Sequence, residues 1–248
     1  MGGALLLLGI QFSFTRAAYL SLLIAAATFF VVKYRLVKVA LGLLTIVAIA
    51  GIFWLVNQEK YLDYAPNYER TITYYNFENL LEATYKGEDI STMERVYRWV
   101  AGLQMIKEEP FLGYGPGNFP RFYKSFTVTS FKTYVSDNPD SSGIHNYYFM
   151  TLIEQGLPGF LLFVALCFLT LLKGEMIYHQ TIDENKKHLV MTVILTFVII
   201  LALLLINDMV ETIKVGTFFF VCIAVLVNVD LENQRLRKGE MKKDELVG

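Results

Sequence analysis

One histidine stands where a long polar stretch of the chain gives way to an apolar one. His145 lies within residues 143–150, and an apolar run follows Gly156. The reference pKa of imidazole is near neutrality, so this side chain can act as a general base at about pH 7. The structural alternative is a histidine at a helix start whose ring is satisfied by loop carbonyls. We predict His145 as a catalytic residue and leave both interpretations open.

Two arginines are candidates for binding an anion at the same boundary. Arg16 is an isolated cation between apolar stretches, and Arg95 lies in the polar stretch, four residues before Trp99. An arginine at a lipid boundary is costly unless it snorkels or finds a partner, and its guanidinium binds phosphate oxygens in a bidentate manner. Snorkelling is the structural alternative for Arg16. For Arg98, one turn from Arg95, a solvated helix face is the preferred interpretation.

A carboxylate follows the histidine inside an apolar segment. Glu154 lies in the segment that begins at Tyr147, and an intramembrane carboxylate is a functional candidate by default. The preferred alternative is a capping or hinge role beside Gly156 and Pro158. Because Pro158 has no N–H to donate to the Glu154 carbonyl, we predict a kink or a break there.

Membrane helices must position these residues. The chain has 248 residues, of which 54% are hydrophobic, and its mean hydropathy is +0.43. Long apolar runs of this kind are typical of an integral membrane protein. The basic clusters are short and adjoin apolar runs, so they do not indicate nucleic-acid binding. Cys167 and Cys222 lie inside apolar runs, which is typical of buried residues and not of a disulfide or a metal site.

The sequence predicts an all-α polytopic membrane protein. A short apolar run at 4–10 has about half the length that a span needs, so we expect the chain to be the C-terminal part of a longer protein. Full spans are predicted at 17–32, 36–56, 147–172, 189–206 and 212–229. The predicted domains are a stub with two membrane helices (1–56), a loop domain (57–145), three membrane helices (146–230) and a tail (231–248).

The long loop is expected to fold, because it holds ten of the fifteen tyrosines and disordered loops are poor in aromatic residues. A capping box at 91–94 predicts a helix that ends near Glu109, before Pro110. The apolar residues of this helix keep a spacing of three and four, so we expect one face to pack down. That face comprises Val96, Trp99, Val100, Leu103 and Ile106.

The basic residues predict the orientation. The stretches at 33–38 and 173–188 and the C-terminal tail are rich in Lys and Arg, and they alternate so that all three lie on the cytoplasmic side. The long loop, the turn at 207–211 and Arg16 then share the outer face with His145. Several arginines beside a histidine would suit a diphosphate anchored in the outer leaflet.

Three motifs, in this order, resemble those of the O-antigen ligase and O-antigen polymerase superfamily of bacterial membrane glycosyltransferases. The first is FTRAA at 14–18, with Thr15 where the family usually has serine. The second is RVYRW at 95–99, followed by PFLGYGPGNF at 110–119. The third is HN at 145–146, followed by EQGLPG at 154–159. The resemblance covers roughly residues 10–175.

The resemblance implies a helical bundle of the GT-C type and a donor sugar carried on undecaprenyl diphosphate. It implies work on the periplasmic face of the bacterial inner membrane, with no metal and no cofactor. By position, Arg16 and Arg95 would hold the diphosphate and stabilise the leaving group. His145 would activate the acceptor hydroxyl, giving inversion at the anomeric carbon, or would bind phosphate as a cation. The further predicted substrate-binding residues are Arg98, Asn146, Tyr147 and Glu154.

Two hypotheses of function follow. The first is a transferase that moves a lipid-linked oligosaccharide onto a growing glycan, lipid A core or a protein. Membrane lipid is then a further partner and nucleic acid is not. The second is a non-catalytic membrane module for glycan binding or transport.

Overall fold

The computed structural model describes residues 16–57, 90–128, 143–208, 210 and 212–239. Within this part of the chain the regular elements are all helical, which confirms the predicted all-α class. They are α1 (Arg16–Lys33), α2 (Val37–Val56), α3 (Ile90–Glu108), α4 (Phe119–Phe122), a 3-10 turn (Tyr123–Phe126), α5 (Tyr147–Gln180), α6 (Glu184–Leu203) and α7 (Ile213–Arg237).

Four of these helices, α2, α5, α6 and α7, are long and apolar enough to cross a membrane. The chain is therefore a multi-pass membrane protein, as predicted. The first predicted span is helical as α1, and residues Leu20–Lys33 of this helix are a further apolar helical stretch. The apolar run at 4–10 lies outside the described residues.

The chain divides into two compact units. We call Thr15–Leu43, Ala165–Leu203 and Met209–Gly248 the span unit, and Met1–Phe14, Leu44–Val164 and Leu204–Asp208 the loop unit. In the span unit, α1 packs on α6 and α6 packs on α7. Two buried rings join the second pair, with the centroids of Phe197 and Phe219 5.1 Å apart. Cys167 and Cys222 are buried, as predicted.

Helix α5 runs past its predicted end. The predicted span ends at residue 172, whereas the helix continues to Gln180 and only three residues separate it from α6. Polar side chains of this extension have partners in the span unit. The carboxylate of Glu175 accepts the Val37 N–H at 3.0 Å, and the His179 ring lies 2.9 Å from the Val32 carbonyl oxygen. With its polar groups paired, the helix continues where hydropathy alone predicts a loop.

A sharp break divides α5 at Gly156, whose φ of 65° and ψ of −172° are not helical. The rings of Tyr147 and Phe163 have centroids 5.1 Å apart. In a straight helix these two residues would be separated by roughly 24 Å. The first segment of α5 therefore folds back beside the second. The predicted break is confirmed, and Pro158 falls in the first turn of the second segment, where proline is tolerated.

Helix α3 is the central element of the loop unit. Its bounds agree with the prediction, although the side chains of the predicted capping box before Glu94 lie outside the described part. The predicted stripe does pack down: Val100 is fully buried, and its other four residues are partly buried against the same core. The core approaches α3 closely at Gly102, because a Cβ there would lie 2.7 Å from Ile153 Cδ1 and 2.8 Å from Ile144 Cδ1. The fully buried apolar residues of α3 are Tyr97, Val100, Ala101 and Met105.

Candidate functional site

The glycine-rich turn before α4 docks on the break in α5. The N–H of Tyr114 donates to the Ile153 carbonyl at 3.0 Å, and that of Gly115 donates to the Glu154 carbonyl at 2.8 Å. In return, the Leu157 N–H donates to the Pro110 carbonyl at 2.9 Å. The carbonyl that Pro158 leaves without a helical donor is thus satisfied by the turn.

Two glycines allow this close approach of backbones. Gly113 has a φ of 67°, and a Cβ there would lie 2.6 Å from the Ile153 carbonyl oxygen. A Cβ at Gly156 would overlap the carbonyl of Phe111. Left-handed φ values of this kind favour glycine. The second and third motifs of the sequence therefore meet in space as one packed junction.

The side chain of Glu154 stabilises this junction. Its side chain is 2% exposed, and its two carboxylate oxygens accept the N–H groups of Gly117 at 2.8 Å and Phe119 at 3.0 Å. A buried carboxylate is stabilised when backbone donors satisfy its oxygens. This geometry favours the capping role that was the alternative for Glu154.

Helix α3 holds the loop that carries His145. One guanidinium nitrogen of Arg98 donates to the Gly143 carbonyl at 2.8 Å, and the other pairs with the Glu94 carboxylate at 2.6 Å. The indole N–H of Trp99 donates to the Ile144 carbonyl at 3.0 Å. Arg98 is 2% exposed, so the interpretation of a solvated helix face is wrong. The guanidinium is buried because it satisfies a loop carbonyl and a carboxylate together.

A second carboxylate, which the sequence reasoning missed, holds the other side of the loop. Asp208 follows α6, and its Oδ2 accepts the His145 N–H at 2.7 Å. The same side chain lies against Gly143, where a Cβ would overlap Oδ2. One signal was present in the sequence, since Asp208 is an acidic residue directly beyond a long apolar run and on the predicted outer face. Its partner could not be read from the sequence because 63 residues separate the two.

These contacts hold His145 in an unusual backbone conformation. Its φ is 57°, in the left-handed region that residues other than glycine seldom adopt. The loop is fixed through the backbone of residues 143–145, so the imidazole itself is not needed to hold it. A strained conformation kept in place by surrounding contacts is a feature found at active sites.

The surroundings of His145 favour its neutral form. Burial lowers the pKa of the imidazole, the positive charges of Arg98 and Arg95 lower it further, and the Glu94 carboxylate acts in the opposite direction. For Asp208, burial raises the pKa, although the His145 and Asn146 N–H groups and both arginines oppose that shift. Burial and the two arginines therefore favour the unprotonated imidazole at neutral pH.

The remaining predicted site residues take separate places. Arg95 lies half-buried on α3, near enough to influence His145 electrostatically. The side chain of Asn146 accepts the Phe149 N–H at 3.0 Å and so caps α5, while the Tyr147 N–H donates to the Leu204 carbonyl at 2.9 Å. Arg16 begins α1 in the span unit, and its side chain lies outside the described part.

Removal of the Asp208 carboxylate should loosen the histidine loop. Asp208→Ala leaves the partly buried His145 N–H without its acceptor, a loss of about 1–3 kcal/mol. We expect a fall in turnover that exceeds any fall in the amount of folded protein. Asp208→Asn is the matched control, because its amide oxygen can still accept this bond, and it should retain most turnover. Equal turnover in both variants and the parent would contradict a positioning role for Asp208.

Comparison with protein families matches residues 1–164 to the O-antigen ligase family model. The matched range contains all three motifs, including His145, Arg95 and Glu154, whereas Asp208 lies beyond it. No match was found among curated proteins or among solved structures.

Proposed function

Because this chain belongs to the O-antigen ligase family, we propose that it transfers an oligosaccharide from undecaprenyl diphosphate to an acceptor hydroxyl. The acceptor is a growing glycan, lipid A core or a protein. We place the reaction at the periplasmic face of the bacterial inner membrane. The positive-inside rule assigns the basic segments to the cytoplasm, and the long loop then lies in the periplasm. The proposal includes inversion at the anomeric carbon and independence from metal ions.

The observation that carries the proposal is the loop of His145, which Arg98 and Asp208 hold through its backbone. A general base must be unprotonated when it meets the acceptor hydroxyl, and the lowered pKa of His145 favours that state at neutral pH. A phosphate-binding imidazolium would need the opposite shift. The surroundings therefore support the base role over the cationic role for His145.

The proposed reaction is a single displacement. The acceptor oxygen attacks the anomeric carbon as His145 takes the hydroxyl proton, and the bond between that carbon and the diphosphate oxygen breaks. The lipid diphosphate leaves with the bonding electrons. Arg95 would stabilise the negative charge that develops on it, and electrostatic stabilisation of this kind lowers barriers most. By its motif, Arg16 is a further candidate for binding phosphate.

The two loop arginines receive different roles in this proposal. Arg98 is engaged with Glu94 and with the Gly143 carbonyl, so we assign it to positioning the histidine loop. Arg95, which Trp99 follows four residues later as in the family motif, is the candidate for contact with the diphosphate. Glu154 and Asn146 act through the backbone they cap, and Tyr147 opens the helix that follows His145.

A transfer assay tests the proposal. The full protein in liposomes, given an undecaprenyl-diphosphate oligosaccharide and acceptor with EDTA present, should release the lipid diphosphate and form glycosylated acceptor. Arg95→Ala should slow transfer by about 10²-fold or more, since one lost anion-stabilising donor costs this much. Arg121→Ala, at an exposed arginine on α4, is the matched control and should be unchanged.

Intact donor in the presence of folded protein would contradict the proposal and favour the glycan-binding or transport module. Equal transfer by the Arg95→Ala and Arg121→Ala variants would contradict the role of Arg95 alone. Transfer abolished by EDTA and restored by a divalent ion would contradict metal independence.

A further inference from the structure

The turn before α4 presents two bulky apolar side chains to its surroundings. Phe111 is 65% exposed and Leu112 is 82% exposed. The chain carries no charge from Pro110 to Pro120, between Glu109 and Arg121. Paired apolar side chains at the tip of a turn are unfavourable in water and favourable in lipid.

This turn lies at one end of a membrane span. The Leu157 N–H donates to the Pro110 carbonyl, and Gly156 lies against Phe111. From there α5 runs without a charged residue to Lys173. The turn is therefore attached where the uncharged part of α5 begins, and the exposed apolar surface continues along the helix to Leu162, which is 74% exposed.

The backbone that directly follows the apolar tip has its N–H groups paired. Each N–H from Tyr114 through Phe119 is hydrogen-bonded within the loop unit, and Pro116 has none to satisfy. Two of these bonds go to the carboxylate of Glu154. Irregular backbone is tolerated at membrane depth only where its polar groups are paired in this way. The buried carboxylate of Glu154 thus stabilises the backbone beside the exposed apolar tip.

We propose that residues 110–113 form a lipid anchor in which Phe111 and Leu112 insert among the acyl chains beside the break in α5. Bilayer lipid is the partner because the exposed apolar surface is continuous with the span at Leu161 and Leu162. The anchor sets the height of the α5 break relative to the membrane. Through the backbone bonds of the junction it also sets the height of α3 and of the loop that carries His145.

Depth-dependent quenching tests the anchor in liposomes. In the full protein with the two buried cysteines replaced by alanine (C167A, C222A), an environment-sensitive fluorophore is attached at Leu112→Cys. Two matched labels serve as references. The label at Leu162→Cys, on the span, reports a position in lipid, and the label at Ser125→Cys, an exposed polar position of the 3-10 turn, reports a position in water. We expect the label at 112 to lie about 5–10 Å below the lipid–water boundary, as interfacial anchors do.

In that case nitroxide lipids labelled near the headgroup quench position 112 more than lipids labelled deep in the chain, and aqueous iodide quenches position 125 only. Iodide quenching at 112 equal to that at 125 would overturn the proposal. Protection of position 112 from iodide and from both nitroxide lipids would also overturn it, because the tip would then be covered by protein.

An unlabelled pair of variants guards against an effect of the fluorophore. Leu112→Lys should lower the unfolding temperature in liposomes, because a lysine there is placed in lipid, and Ser125→Lys should leave it unchanged. Leu112 is too exposed for its removal to disturb packing within the protein. Equal unfolding temperatures for the two variants would overturn the anchor.

Discussion

His145→Asn should lower the rate of glycan transfer by roughly 10²–10⁴-fold, the range attributed to a positioned general base. Asparagine is the informative replacement for two reasons. It accommodates the left-handed φ of 57° better than most residues, so the loop between Arg98 and Asp208 should keep its shape. It also has no basic nitrogen at neutral pH. The measurement is single-turnover transfer, with thermal unfolding recorded alongside.

The control for this variant is His188→Asn, because His188 is exposed on α6 and lies in the span unit. It should transfer at the parent rate. Full transfer by His145→Asn would exclude the base role. A large fall in unfolding temperature for His145→Asn would instead assign the histidine a structural role.

The pH dependence of glycan transfer distinguishes the two roles of His145, a general base and an imidazolium that binds phosphate. Burial and the charges of Arg98 and Arg95 lower the pKa of His145 below its ordinary 6.5, so the base stays unprotonated at neutral pH. Transfer should therefore persist as the pH falls through 6.5 and decline only at lower values. An imidazolium that binds phosphate would show the reverse, with activity lost as the pH rises and the ring loses its proton.

Gly156→Ala should destabilise the protein by roughly 3 kcal/mol or more. The φ and ψ of Gly156 lie in a region open almost only to glycine, and the added Cβ would overlap the carbonyl of Phe111. That carbonyl belongs to backbone, so it cannot rotate away as a side chain could. The glycine-rich turn would separate from α5, and Glu154 would lose its backbone donors. Thermal unfolding in detergent measures the effect.

Gly51→Ala is the matched control, because Gly51 lies within α2 and a Cβ there meets no atom within 4 Å. Alanine is favoured over glycine inside a helix by about 0.5–1 kcal/mol, so this variant should be neutral or slightly stabilised. Similar unfolding temperatures for the two alanine variants would show that the turn and α5 are not joined as described.

Several features of this protein were accessible from the sequence because they depend on local pattern. Apolar length predicts the membrane helices, Pro110 predicts the end of α3, and Gly156 with Pro158 predicts the break in α5. Three motifs in order predict the family. Each of these signals lies within one stretch of chain, where composition and spacing are sufficient.

Other features depend on contacts between distant segments. Asp208 meets His145 across 63 residues, and Arg98 meets Gly143 across 45, so neither partner is visible in a local pattern. Arg98, for which we preferred a solvated position, is buried because its partners come from distant as well as local segments. The extension of α5 beyond residue 172 also follows from tertiary partners for Glu175 and His179.

The sequence by itself thus determined the class and the positions of most membrane helices, through hydrophobic length, and it singled out the histidine as a candidate, through motif order. Only the tertiary structure decided how that histidine is held. Its φ is in the left-handed region, and its loop is bonded to Arg98 of α3 on one side and to the carboxylate of Asp208 on the other. The physical reason is that buried polar groups must find partners, and the chain finds them wherever folding brings them together.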